Sequence, residues 1–371
     1  MLIPELPDYL TKLGGAEYKG LIISLFTLTA GLSRPFSGRL TDRIGRVPVM
    51  AFGSLVCFVC GFFYPLVTTI YPFLFLRLVH GFSTGFKPTG TSAYIADIVP
   101  VFRRGEAMGM HGLMSSFGMA FGPALGSWIA DTYSMNALFY VSSLFALISI
   151  AILYNMKETL PKDKQEKFTL NSLKINKKDI FDEMVLPAAI VMFLTSFSFG
   201  AIATLSPDLS KSIGLHNKGF FFLIYTLSSL FIRFAAGKVS DRNGRIPVLR
   251  WGCFALVISM GFTAFATNIS VFVIAAVFFG IGQGVLSPIL QAWTVDLCDE
   301  NNRGRALATM YISMEAGIGL GAFLSAEIYH NTIARLPYAF LLMGALAAIA
   351  FAYLFTGRVR RMKQNTAPVA V

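Results

Sequence analysis

Apolar residues along this chain gather into blocks of about twenty, each closed off by a short polar stretch. About twenty residues is what a helix rising about 1.5 Å per residue needs to cross a hydrocarbon core of about 30 Å. The pattern predicts eleven full-length spans, at 18–40, 47–70, 73–100, 105–130, 136–155, 185–205, 219–239, 248–266, 271–297, 306–328 and 337–357. Residues 1–10, with Glu5, Asp8, Pro4 and Pro7, are too short to span. They also lack the basic start and apolar run of a signal peptide.

Composition agrees with that pattern. Of 371 residues, 55% are hydrophobic and 14% charged, and the mean hydropathy is +0.63, whereas an ordinary soluble domain carries about 25% charged residues. A soluble enzyme is excluded. The net charge of +11 raises the question of nucleic acid, and the placement of the cations answers it. Most of the 31 Lys and Arg lie at alternate ends of the spans, in 34–46, 103–104, 157–178, 233–250, 303–305 and 358–363, with Lys12, Lys19, Lys211, Lys218 and Arg335 at the other ends. That asymmetry is the positive-inside signal, which makes the basic side and the C-terminus cytoplasmic. Arg77 and Lys87 belong to neither set and fall inside an apolar block. Cys57-x-x-Cys60 has no second pair and no nearby His, and reads as small buried thiols rather than a metal or redox site.

The chain repeats itself at an offset of 199. Without a gap over about a hundred residues, the shift aligns Arg34, Gly38, Asp42, Arg43, Gly45, Arg46 and Pro48 with Arg233, Gly237, Asp241, Arg242, Gly244, Arg245 and Pro247. Further along it aligns Gly81, Gly85, Asp97, Arg104, Gly118 and Gly122 with Gly280, Gly284, Asp296, Arg303, Gly317 and Gly321. Two copies of one helical unit are therefore expected: a first bundle at 1–155, a charged loop at 156–183, a second bundle at 184–357 and a tail at 358–371. In the second copy a full span precedes Pro207 and Asp208, while Pro7 and Asp8 stand near the start of the chain. The reading is of five helices and a stub followed by six, with about one helix expected upstream of Met1.

The repeated turns, Gly38-x-x-x-Asp42-Arg43-x-Gly45-Arg46 and Gly237-x-x-x-Asp241-Arg242-x-Gly244-Arg245, combine glycines that permit tight turns with an Asp set between cations near helix ends. Such a cluster can hold one conformation and release another, or it can simply fix topology. The G-x-x-x-D-R-x-G-R turn resembles the signature loop of the major facilitator superfamily, here present twice. Arg77-x-x-x-Gly81-x-x-x-Gly85 is similar to that family's second motif, and Gly118-x-x-x-Gly122-Pro123-x-x-Gly126 to the motif of its drug/proton antiporter branch, with Ser127 where a final Gly is usual. The resemblance implies an all-α polytopic fold of two pseudo-symmetric six-helix bundles, with helices 1, 4, 7 and 10 lining a cavity. It also implies gating roles for the turn residues, for Asp97, Arg104, Asp296 and Arg303 at the ends of the fourth and tenth helices, and for Gly118, Gly122, Pro123 and Gly126.

Ionisable groups present in only one copy are the better candidates for solute or ion chemistry. Arg77, His80 and Lys87 correspond to Ala276, Phe279 and Leu286. At about 100° per residue Arg77, His80, Thr84, Lys87 and Thr91 share an arc of about 80°, as do Gln283, Ser287, Gln291 and Thr294 on the tenth helix. Charges at membrane depth are expensive and point to function. A structural role competes with that reading: Arg77 can snorkel, and His80 can bond a neighbouring helix. Two polar stripes, one basic and one of amides and hydroxyls, favour an anionic or hydrogen-bonding solute. Glu315, near mid-membrane in the eleventh helix and matched by Ser116, is the candidate proton carrier, since desolvation disfavours its charged form. It can equally stay neutral and bond a neighbouring helix. Arg77 and Asp8 are further proton-coupling candidates. The absence of a Walker loop points away from ATP and towards an ion gradient.

The expected function is that of a proton-coupled secondary transporter exporting a small organic solute across a plasma or bacterial inner membrane. It would act as a monomer, without cofactor, metal or nucleic-acid partner and without enzymatic activity. Uptake of an organic anion or sugar-like solute by proton symport is the alternative within transport, and a non-transporting receptor or scaffold the alternative outside it.

Overall fold

A computed structural model describes residues 1–100, 104–173, 181–298 and 303–356, and the described residues are helical with no strand. Two compact units, Met1–Asp179 and Ile180–Val371, divide the chain.

The first unit opens with a short helix, α1 (Leu6–Lys12), followed by α2 (Lys19–Arg43), α3 (Arg46–Phe63), α4 (Ile70–Ile98), α5 (Arg104–Thr132) and α6 (Met135–Tyr154). The second comprises α7 (Leu186–Ser212), α8 (Phe220–Asn243), α9 (Arg245–Ala264), α10 (Ile269–Leu297), α11 (Arg303–Tyr329) and α12 (Leu336–Tyr353). Eleven helices among the described residues, α2 to α12, run 18 to 29 residues. Seven of them, α3, α6, α7 and α9 to α12, are apolar enough by composition alone to cross a membrane. The other four are more polar: besides charges near their ends, α2 carries Arg34, α8 its repeat partner Arg233, and α4 the single-copy Arg77 and Lys87. The expected spans and the observed helices agree to within a few residues, with two instructive departures. The second span was expected to reach 70, but α3 stops at Phe63 and a single 3₁₀ turn, Tyr64–Leu66, takes over at Pro65. Proline there removes a backbone donor and closes the helix. Conversely, α7 continues through Pro207 and Asp208 to Ser212.

In each unit the repeat-related helices pack alike: α4 lies against α2 and α3, and α10 against α8 and α9. Small residues make this possible. A Cβ on Gly85 would lie 2.9 Å from the Ala30 carbonyl of α2, and one on Gly284 would lie 2.8 Å from the Ser229 carbonyl of α8. The exterior is the reverse of a soluble protein's. Phe75, Tyr154, Phe231 and Trp251 are each at least 65% exposed, and apolar surface on that scale is covered by a partner or by lipid. The molecule is a polytopic all-α membrane protein.

Candidate functional site

The motif turns come first, because their geometry repeats. Gly45 (φ +140°) and Gly244 (φ +84°) join α2 to α3 and α8 to α9 in a backbone region that side chains rarely adopt. The next residue in each copy is an arginine that turns back across the end of the unit. Arg46 donates from Nε to Asp97 on α4 at 2.9 Å and from a terminal nitrogen to the Thr41 carbonyl at 2.6 Å. Arg245 donates from Nε to Asp296 on α10 at 2.9 Å and to the Ser240 hydroxyl at 3.1 Å. Asp42 lies 3.7 Å from Arg46 but is three-quarters exposed, so water screens that pair. Arg43 pairs with Glu166 of the inter-unit loop at 3.2 Å, while Arg242 is exposed. The side chains of Arg104, Asp241 and Arg303 lie outside the described residues, so the spacing of Asp97 to Arg104 and of Asp296 to Arg303 has no described contact. Among the described residues, the two aspartates of those spacings pair with the turn arginines.

The first unit adds a clamp to this frame. Both carboxylate oxygens of Glu158, just after α6, accept from the start of α3: Arg46 N at 3.0 Å and Val47 N at 2.9 Å. The same side chain accepts from Thr159 N and Leu160 N, and the Thr159 hydroxyl donates to Asp97 at 2.7 Å. A carboxylate at a helix N-terminus satisfies orphan donors and complements the dipole.

On α4 the polar stripe separates into two groups. Arg77, 3% exposed, donates from Nε to the Ile22 carbonyl of α2 at 2.9 Å, and its guanidinium carbon lies 4.5 Å from the centre of the Phe26 ring. The Tyr64 hydroxyl sits between Arg77 (3.4 Å) and His80 Nδ1 (3.2 Å), and can donate to the latter when the imidazole hydrogen is on Nε2. Lys87 leans the other way and donates to Ser149 of α6 at 2.7 Å, with Ser54 of α3 3.3 Å from that hydroxyl. Thr84 and Thr91 lie half-buried on the same arc, Thr91 bonding back to the Lys87 carbonyl. The cause is steric: Gly81 and Gly85 turn one side of α4 to α2, Gly53 and Gly90 bring α3 onto the other, and the stripe's edges reach to opposite neighbours.

On α10, Gln283, Ser287 and Gln291 are half-buried on the side away from α9, which is met through Gly282, Val285 and Leu286. Thr294 is buried and back-bonds to Leu290. Glu315, 4% exposed, lies midway along α11. Asp8 is half-buried on α1, whose neighbour Glu5 accepts from Ser127 of α5 at 2.7 Å.

The glycine helices α5 and α11 differ. A Cβ on Gly317 or Gly321 would run into the carbonyls of Phe193 and Phe197 on α7, whereas one on Gly118 would meet nothing within 4 Å. One on Gly122 would reach Met1 at 3.4 Å, and one on Gly126 would strike the Met1 carbonyl. Pro123 lies inside α5. Gly38 and Gly237 leave open space.

Against known families, the model described as Major Facilitator Superfamily matches residues 1–257 and again 188–370. The chain belongs to the major facilitator superfamily. The double match echoes the internal repeat. Among curated relatives of this superfamily member, the multi-drug resistance efflux pump PmrA of Streptococcus pneumoniae is 27% identical over 371 residues, covering 96% of this chain and 90% of the relative. The staphylopine export protein of Staphylococcus aureus is 23% identical over 342 residues, covering 89% and 84%. Among solved structures, a D-xylose-proton symporter aligns with a TM-score of 0.76 at 16% identity, over 95% of this chain and 90% of that one. The human organic anion transporter MFSD10 aligns at 0.71 and 18%, over 95% and 89%. At those identities the structures speak for the fold alone. A major facilitator chain is a transporter rather than an enzyme, and small molecules are what it moves.

Three contributors to this transporter's polar framework were not singled out from the sequence: Tyr64, Ser149 and Glu158. Each was reachable by the rule applied to the charges, since the offset of 199 places Thr263, Ala348 and Gly357 at the matching positions.

Proposed function

We propose that this superfamily member exports a small anionic or hydrogen-bonding organic solute in exchange for protons, by alternating access. The observation that carries the coupling is Glu315, a carboxylate buried halfway along α11 where the first copy has Ser116. A carboxylate at that depth is costly when charged, and alternation between a protonated and an ionised state is a use that repays the cost. Arg77 and Asp8 are the other ionisable groups proposed to take part. Efflux is supported by the glycine-proline pattern of α5 and by relatives named as an efflux pump and an export protein. Thr84, Lys87 and Thr91 of α4 and Gln283, Ser287, Gln291 and Thr294 of α10 are the proposed solute contacts. Arg77 and His80, held by Ile22, Phe26 and Tyr64, are proposed to complete that set from below the surface of their unit. The basic ends of the helices face the cytoplasm in this reading.

The deciding experiment uses protein reconstituted in proteoliposomes with an imposed pH gradient. Glu315→Gln is expected to abolish gradient-driven flux while solute counterflow continues. A variant that still responds fully to the gradient would show that another group carries the proton.

A further inference from the structure

The interior of the first unit holds a cation that the surrounding helices do not neutralise. Lys87 stands well inside the 29 residues of α4, about 26 Å from the start of the helix, and is half-buried. A Cβ on Gly53 would lie 2.7 Å from the Lys87 backbone nitrogen, so α3 fits closely against the base of the side chain. The ammonium reaches to α6, where it donates to Ser149 at 2.7 Å, and the Ser54 hydroxyl of α3 lies 3.3 Å from that of Ser149. The acidic residues of α2 to α6, Asp42, Asp97, Glu106 and Asp131, all stand within a turn of a helix end. Among the described residues Lys87 meets no carboxylate.

The hydrogen-bonding capacity of this cluster is lopsided. An ammonium has three donors and a hydroxyl one, so Lys87, Ser54 and Ser149 hold five between them, and the two described bonds engage two. Donors in excess beside a positive charge call for a group that only accepts and is itself negative. An ionised carboxylate is such a group.

The scaffold does not require these side chains. At the matching positions the second unit has Leu286, Cys253 and Ala348, and a Cβ on Gly252 would lie 2.8 Å from the Leu286 side chain. The same corner is closed there by apolar contacts. Packing alone therefore gives no reason for an ammonium at this depth, where charge is expensive.

Two further features narrow the ligand. The cluster carries one positive charge, so a monoanion leaves a neutral pair, whereas a dianion leaves a net charge at membrane depth. One turn away along α3 and α6 stand Met50, Cys57, Ala146 and Leu153, poor partners for the hydroxyls of a sugar acid. We propose that Lys87, with Ser54 and Ser149 beside it, binds the carboxylate of an organic monoanion whose remainder is apolar. In the transport reading, on which this assignment rests, that acid is the solute.

The full chain, purified in detergent at neutral pH with no ion gradient, is tested by equilibrium dialysis with tritiated 4-phenylbutyrate, an acid of this class. The unlabelled acid is expected to displace the label at a concentration at least about tenfold lower than its methyl ester, which keeps the body and loses the charge-assisted bond. Lys87→Gln should weaken binding of the acid by about tenfold or more and bring acid and ester level, while Ser149→Ala should weaken it about threefold. Displacement by acid and ester at the same concentration in the unmutated protein, or no saturable binding of the acid, would overturn the proposal, and neither result needs a variant to fold. A preference for the acid undiminished in Lys87→Gln overturns it too, by placing the carboxylate elsewhere. With no gradient imposed, the outcome is separate from that of Glu315→Gln. Charge-dependent binding by a protein that exports nothing keeps the site and removes the transport reading, and equal binding of acid and ester by a protein that exports other solutes does the reverse.

Discussion

Arg77 shows how a single buried charge is accommodated in this fold. A guanidinium 3% exposed would be prohibitive alone, and it is met by the Ile22 carbonyl, the face of Phe26 and the Tyr64 hydroxyl. Tyr64 is the member with least slack, because its hydroxyl serves Arg77 and His80 at once while the backbone carbonyl of the same residue accepts from Tyr9 at 3.0 Å. Tyr64→Phe leaves the ring packing in place and strips a partner from two buried polar groups, at a cost of about 1–3 kcal/mol. Thermal unfolding of the purified protein should register that loss. A melting temperature equal to that of the unmutated protein would mean that water or another group replaces the hydroxyl. The sequence showed that Arg77, His80 and Lys87 share one arc of α4, because helical periodicity fixes angles. It did not show that Arg77 turns to α2 and Lys87 to α6, because that depends on which neighbour stands at each edge, and Tyr64 lies in a 3₁₀ turn where the expected α-helical periodicity of the second span no longer holds.

At the scale of elements, α3 and α9 start with the same turn and the same arginine bridge, yet the start of α3 has an external carboxylate. Glu158→Ala removes the acceptor for Arg46 N and Val47 N, a loss of about 1 kcal/mol by analogy with other helix-capping side chains. The variant should unfold at lower temperature, with a smaller loss for Thr159→Val, which gives up one bond to Asp97. An unchanged stability in both would show that solvent satisfies the helix start equally well. Helix positions were legible from apolar block length to within a few residues, since membrane thickness dictates that length. The end of α3 was not, because the apolar run continues through Tyr64 and only Pro65 interrupts the backbone. The continuation of α7 past Pro207 was likewise hidden, since a proline inside a spanning helix is tolerated where neighbouring groups take up the freed carbonyl.

At the scale of the whole molecule, the offset of 199 relates the two halves of the sequence, and the paired bridges Arg46–Asp97 and Arg245–Asp296, both at 2.9 Å, are its most literal expression. The copies then diverge where each meets something different: Arg77, His80 and Lys87 in one, Glu315 in the other. The clamp at Glu158 also bears on how the polypeptide can be divided. Residues 158–166 follow the last helix of the first unit in sequence, yet through Glu158, Thr159 and Glu166 they are bonded to α2, α3 and α4. A gene cut into two co-expressed pieces after residue 167 should therefore give a first piece that carries its own helix cap. A cut after residue 155 hands that cap to the other polypeptide, and an intramolecular contact becomes a bimolecular one. The later cut should give the larger yield of co-purifying, transport-competent pairs, so the natural seam of this protein lies within its charged loop rather than at the last residue of a helix.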